Sequence, residues 1–265
     1  MTSRSVEFLK KYPIAHRGYF NNAGEHPENS LGAIVEAVAN GFASELDVML
    51  SADGQVMVFH DDSLERMCGR QEMFSQLSAQ QLAAIPLKNS QECIPTLAKV
   101  LDSVRGMRPL VIELKSFNRN GMQSDGKLED AVVRVLEGYL GEVALKSFNP
   151  FSVKELLRLR QPHHSWPVGF ISCNHSKDAD FAFLTEAQSN GLSQLTPGVS
   201  PECEFISYNI NDLSEELSHQ VRRNKPLMVW TVRTEEQFLK AQRLADNIVF
   251  EWRGVKPSRN PYSQA

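Results

Sequence analysis

No run of apolar residues in this sequence approaches the roughly 20 needed to cross a bilayer, and the first eleven residues lack the apolar centre of a secretory signal. No lipidation motif and no Lys/Arg-rich amphipathic helix takes their place. A cytoplasmic location without stable membrane association is therefore expected. Cysteine is sparse, and Cys68, Cys93, Cys173 and Cys203 show none of the close pairs that zinc or redox sites use. Four reduced thiols serving as small packing residues are expected. Positive charge is in deficit, with 28 Lys and Arg against 32 Asp and Glu, a net charge of −4. That balance gives no reason to expect nucleic acid or an anionic bilayer as a partner. Repeats, low-complexity tracts and linkers are also missing, which argues for one domain over residues 1–265 with a loose tail at 253–265.

What is present is a composition fit for a core, 42% hydrophobic and 23% charged. Strands are expected over 12–16, 42–50, 110–115, 143–147, 167–171, 205–208, 227–232 and 247–251, with an extra extended piece at 55–60 beside the second. Between them the apolar spacing predicts helices, among them 127–140, 150–160, 178–190, 213–223 and 234–245. Asn29 or Ser30 is expected to cap a first helix carrying Leu31, Ile34, Val35 and Val38 on one face, and Gly41 to end it. Strands alternating with helices of this length indicate a parallel sheet. Eight of them in 265 residues argue for closure into a (β/α)8, or TIM, barrel with a small insertion after the second strand. Residues 117–126 read as a polar loop over the barrel mouth.

The chemistry concentrates in residues 14–61. Glu45 and Asp47 alternate with Leu46 and Val48, so both carboxylates share one strand face. At about 7 Å apart they repel each other unless positive charge lies between them. Glu113 and Lys115 repeat the spacing on a strand otherwise made of Leu110, Val111, Ile112 and Leu114. A buried Glu–Lys pair would explain that strand alone. Three acids reaching one level from two strands point instead to a cation. Oxygen-only ligation suits a hard ion, Mg2+ or Ca2+.

In order along the chain stand His16-Arg17, Glu28-Asn29, Glu45 with Asp47, Phe59-His60-Asp61, Ile112-Glu113-Leu114-Lys115 and Trp230-Thr231-Val232. This ordered set resembles the glycerophosphodiester phosphodiesterase family, metal-dependent enzymes on a TIM barrel. The resemblance implies cleavage of a small glycerophosphodiester to glycerol 3-phosphate and an alcohol. It assigns the metal to Glu45, Asp47 and Glu113, with Glu28 either assisting or forming a cap or salt bridge. It also implies that His16 and His60 are the proton-transfer pair, since imidazoles titrate near neutrality. Arg17 and Lys115 would meet the phosphate, and Trp230 would either wall the glycerol or alcohol portion or simply fill the barrel core. His26, His163, His164, His175 and His219 read as structural or surface residues.

Three segments depart from the family pattern. Arg233 stands where Asn is usual, the last strand ends Val249-Phe250-Glu251-Trp252 in place of Thr-Asp, and Glu65-Arg66-Met67-Cys68-Gly69 replaces an Arg-Thr-Thr run. None is expected to touch the catalytic set; they bear on the alcohol group. An amidohydrolase barrel is the nearest rival, but it would show His-x-His on the first strand, and only His16 is there. The same chemistry on lysophospholipids, and a barrel that merely binds a phosphodiester, are further alternatives. Retention of both histidines argues against the last.

Overall fold

Strands buried on both faces need helices outside and side chains inside, and alternation along the chain supplies both. The computed structural model describes residues 6–116 and 124–255. Strand β1 (Ile14–Ala15) is followed by α1 (Leu31–Ala39), β2 (Ala43–Leu50) and a short β3 (Val56–Val58). Helices α2 (Glu65–Cys68), α3 (Ala79–Leu82) and α4 (Leu97–Val104) lead to β4 (Leu110–Leu114). Strand and helix then alternate through α5 (Lys127–Leu136), β5 (Val143–Ser147), α6 (Pro150–Leu159), β6 (Val168–Ser172), α7 (Glu186–Ser193), β7 (Phe205–Asn209), α8 (Glu215–Arg222), β8 (Leu227–Val232), α9 (Glu235–Leu244) and β9 (Asn247–Phe250).

Neighbouring strands run β1-β9-β8-β7-β6-β5-β4-β2, and a β1–β2 pairing closes the ring, all in parallel. The expected eight-stranded barrel is thus the observed one. β3 pairs antiparallel with β2 and opens the expected insertion.

Alternation sorts the side chains. Leu46, Val48, Ile112, Leu114 and Leu145 face outward into the layer shared with the helices. Phe8, Leu9, Ile14, Ala43, Val111, Ala144, Phe205, Met228 and Val249 form a second cluster inside the barrel. Gly169 leaves room for this filling, because a Cβ there would lie 2.1 Å from the Phe205 ring. The insertion has its own core of Met49, Met57, Phe59, Leu64, Met67, Phe74 and neighbours, with Phe59 stacked on Phe74 at 5.3 Å. That core fixes the segment carrying Asp61 and Arg66.

Helix starts follow the sequence chemistry. Ser30, not Asn29, caps α1 by accepting from Ala33 N. Thr96, Ser214 and Thr234 cap α4, α8 and α9 in the same way. Two helices differ from expectation. α5 stops at Leu136, short of 140, and Gly138 lies just beyond it at a φ of 78°. The helix expected over 178–190 is replaced by 3-10 turns at His175–Lys177 and Ala179–Phe181 before α7. Asp178 caps the second turn through Asp180 N, and a Thr185–Gln188 capping box restarts the chain as helix. The expected mouth loop falls largely on residues 117–123, outside the described residues, as does most of the expected tail.

Candidate active site

β2 and β4 pair with Asp47 opposite Glu113, which sets three carboxylates at one level inside the barrel. Glu45 and Asp47 are at most 1% exposed and Glu113 is 6% exposed. One oxygen from each lies within 4.8 Å of the others. Unpartnered ionised groups at such depth would cost several kcal/mol each, on the order of the penalty after relaxation. Each carboxylate has a cation beside it. Lys146 Nζ is 2.9 Å from Glu45 Oε1, Arg17 Nε is 3.3 Å from Asp47 Oδ2, and Lys115 Nζ is 2.9 Å from Glu113 Oε1. Burial alone would raise the Asp47 pKa, but the charges of Arg17, His60, Lys115 and His16 hold it well below the usual carboxylate range. For Lys115, burial pulls downward and the carboxylates of Glu113 and Asp47 more than reverse it.

The backbone helps to aim these groups. Arg17 sits at a φ of 55°, and its N–H donates to Glu45 Oε2 at 3.1 Å. Asn29, also left-handed at 59°, brackets Asp47. Its Nδ2 donates to Oδ2 at 2.9 Å, and its Oδ1 accepts from Asp47 N at 3.1 Å.

The donor set fits a hard divalent cation, being three buried carboxylates with no nitrogen or sulfur among them. Among the described residues, Glu137, His163 and His164 also stand close enough to share an ion. There, Gln161 N donates to His164 Nδ1, so Nε2 carries the ring hydrogen toward Glu137 Oε2 and offers no lone pair. Hydrogen bonding accounts for that cluster.

Both family-matched histidines reach the same cavity, which measures about 720 Å³. His16 Nδ1 lies 2.6 Å from Glu251 Oε1, and His60 Nδ1 lies 2.6 Å from Asp61 Oδ1. An ionised carboxylate only accepts, so each Nδ1 carries the hydrogen and each Nε2 is left for chemistry. Burial would raise Glu251, but its hydrogen bonds with His16 and Arg233 bring it down to about 2. Asp61 is likewise held low, against burial, by His60 and Arg66. His60 Nε2 lies 3.1 Å from Lys115 Nζ, and His16 Nε2 lies 3.9 Å from Glu45 Oε2.

Arg17, Lys115 and Trp230 also line the cavity. Trp230 donates from Nε1 to Ser207 O and packs edge-on against Phe148 at 5.4 Å. Phe181 continues that wall 5.5 Å from Phe148, with Phe183, Asp178 and Asp180 further along the lining. Glu28 is a salt-bridge residue, 2.5 Å from Arg17 and 2.7 Å from Arg66.

The three departures from the family pattern do touch this machinery, contrary to expectation. Glu251 anchors His16, and Arg233 donates to both Glu251 oxygens at 2.6 and 3.0 Å. Arg66 bridges Asp61, the partner of His60, to Glu28. Parallel closure carries the register Ala15↔Phe250 one step on, which brings His16 to Glu251. Lys146, which is not among the residues expected at the site, also lines the cavity. Alternation on β5 was its signal, since Ala144 faces the barrel interior and Lys146 follows two residues later.

The model of the glycerophosphoryl diester phosphodiesterase family matches residues 16–250. A glycerophosphodiester phosphodiesterase of Caldanaerobacter subterraneus is 29% identical over 58% of this chain and 65% of its own. Another, from Bacillus altitudinis, is 27% identical over 73% of this chain and 79% of its own. An Oleispira antarctica phosphodiesterase, solved in complex with the product sn-glycerol-3-phosphate, superimposes with a TM-score of 0.72. It is 22% identical, over 92% of this chain and 95% of its own.

Proposed function

The chain belongs to the glycerophosphoryl diester phosphodiesterase family, and on that premise we propose that His16 and His60 are its proton-transfer pair. The reaction is hydrolysis of a glycerophosphodiester to glycerol 3-phosphate and an alcohol. One observation carries the assignment: two imidazoles in one cavity, each fixed through Nδ1 on a carboxylate at 2.6 Å. Phosphodiester cleavage needs a base for the nucleophile and an acid for the leaving alkoxide, and the pair supplies both at near-neutral pH.

Glu45, Asp47 and Glu113 would hold a divalent cation, which we take to be Mg2+ or Ca2+ because all three donors are carboxylate oxygens. When bound, that ion polarises a phosphoryl oxygen. Arg17 and Lys115 bring positive charge to the anionic substrate, Arg17 as a planar fork and Lys115 as a point charge. Lys115 has a second task, donating toward His60 Nε2 at 3.1 Å and so helping to orient that ring. Trp230, with Phe148 and Phe181, excludes water from one side of the cavity.

The substrate alcohol is read as choline or ethanolamine. Aromatic faces attract ammonium groups, and Asp178 and Asp180 line the cavity beside Phe181 and Phe183. Arg233 also lines the cavity, but its guanidinium pairs with Glu251 and so does not favour an alcohol that carries extra negative charge. The chain is read as one barrel domain working in the cytoplasm. No helix among the described residues is long and apolar enough to cross a membrane, and all four cysteines are free thiols, as a reducing compartment allows.

The test is release of glycerol 3-phosphate from glycerophosphocholine with Mg2+ or Ca2+ in turn. Turnover with at least one ion is expected. No release from any of a panel of glycerophosphodiesters, with either ion, would overturn the reading.

A further inference from the structure

Lys146 is a cation buried inside a cluster of acids. Its side chain is 3% exposed, and it stands on β5 between Glu113 and Gly169 in register. Its Nζ is 2.9 Å from Glu45 Oε1 and 3.8 Å from Glu113 Oε2. Glu45 Oε1 makes no hydrogen bond, and its other oxygen accepts from Arg17 N. Lys146 therefore occupies the charge-neutralising place beside one of the three carboxylates that would hold an ion.

We propose that Lys146 is a built-in competitor of the divalent cation for Glu45, which keeps the ion weakly held and exchangeable and keeps the barrel intact without it. This rests on the reading of Glu45, Asp47 and Glu113 as the metal ligands. The argument is electrostatic. A divalent ion drawn to the three carboxylates meets an ammonium within ion-pair distance of two of them. Like charges at such separations in a dry interior repel strongly. To coordinate Glu45 through Oε1 the ion must break the Lys146 contact and turn Nζ toward the cavity, whose wall Lys146 helps to form. Conversely, removal of the ion leaves Glu45 paired, so no uncompensated buried carboxylate destabilises the apo protein. A site with three acids and no such lysine would behave in the opposite way, binding tightly and loosening on chelation.

The test is isothermal titration of chelator-treated protein with MgCl2 and with CaCl2, on the wild type, Lys146→Gln and Lys146→Met. Both variants should bind at least one ion about tenfold or more tightly than the wild type. Thermal unfolding gives a readout independent of turnover. The wild-type Tm should move little between EDTA and saturating ion, whereas the variants should be destabilised in EDTA and recover with the ion. Equal or weaker affinity in the variants would overturn the proposal alone. Absence of binding by all three proteins would overturn it together with the metal assignment. The wild type answers even if the variants do not fold. It should emerge from dialysis against EDTA folded and free of metal, and retention of a full equivalent of ion would overturn the proposal.

Discussion

His16 and Glu251 lie 235 positions apart in the chain and meet at 2.6 Å. Closure of the barrel makes the contact, since β1 and β9 pair in parallel and His16 N donates to Phe250 O at 3.0 Å. The last strand thus does more than complete the sheet. It delivers the carboxylate that fixes the tautomer of the first histidine, and Arg233 from the end of β8 holds that carboxylate from behind.

Removing this anchor should impair catalysis more than binding. Glu251→Ala is expected to lower kcat by about 10²-fold, near the lower end of what general acid–base catalysis contributes, with a small change in KM. Glu251→Gln, which can still accept from Nδ1, should lose less. Arg233→Ala, which spares the His16–Glu251 contact, should lose least. Steady-state kinetics on glycerophosphocholine orders the three, and a full-rate Glu251→Ala enzyme would contradict the anchoring role.

The same carboxylate predicts a pH effect on stability. The folded protein brings the Glu251 pKa from its ordinary 4.5 down to about 2. A depressed pKa means that the unfolded chain binds the proton more readily. The contribution of Glu251 to stability is therefore complete above pH 4.5 and lost as the pH falls from there toward 2. Denaturant unfolding of wild type and Glu251→Gln should show the gap between them narrowing as the pH falls through that window. A gap that stays constant would contradict the assignment.

Turnover should stop in EDTA and return on addition of Mg2+ or Ca2+. Asp47→Asn removes one of the three carboxylates proposed to hold the ion and should weaken ion affinity about tenfold or more, read by calorimetry. Full activity in exhaustively chelated enzyme would contradict the metal assignment.

The aromatic and acidic wall predicts a preference among alcohols. kcat/KM for glycerophosphocholine or glycerophosphoethanolamine should exceed that for glycerophosphoglycerol, and Asp178→Asn with Asp180→Asn should narrow the difference. A tenfold or so preference for lysophosphatidylcholine at matched monomer concentrations would contradict the soluble-substrate reading while leaving the chemistry in place.

The barrel was legible because its strands and helices follow periods of 2 and 3.6, which depend on near neighbours alone. The acids were legible for the same reason, since Glu45 with Asp47 and Glu113 with Lys115 each sit two apart on one strand. Glu251, Arg66 and Lys146 were harder to see. Each is an ordinary charged residue whose partner comes from a distant strand or from the insertion, and only barrel closure and strand register bring the two together. The segment before α7 departs from the single helix that its composition suits because Asp178 and Thr185 start separate turns within it.

The central claim is tested most directly by single-turnover and steady-state release of glycerol 3-phosphate from glycerophosphocholine by wild type, His16→Ala and His60→Ala at saturating ion. The substrate needs its leaving alkoxide protonated, so both halves of proton transfer are exposed. The account predicts that each variant stays folded and loses about two orders of magnitude or more in kcat. Near wild-type kcat in either variant would remove that histidine from the pair and contradict the account.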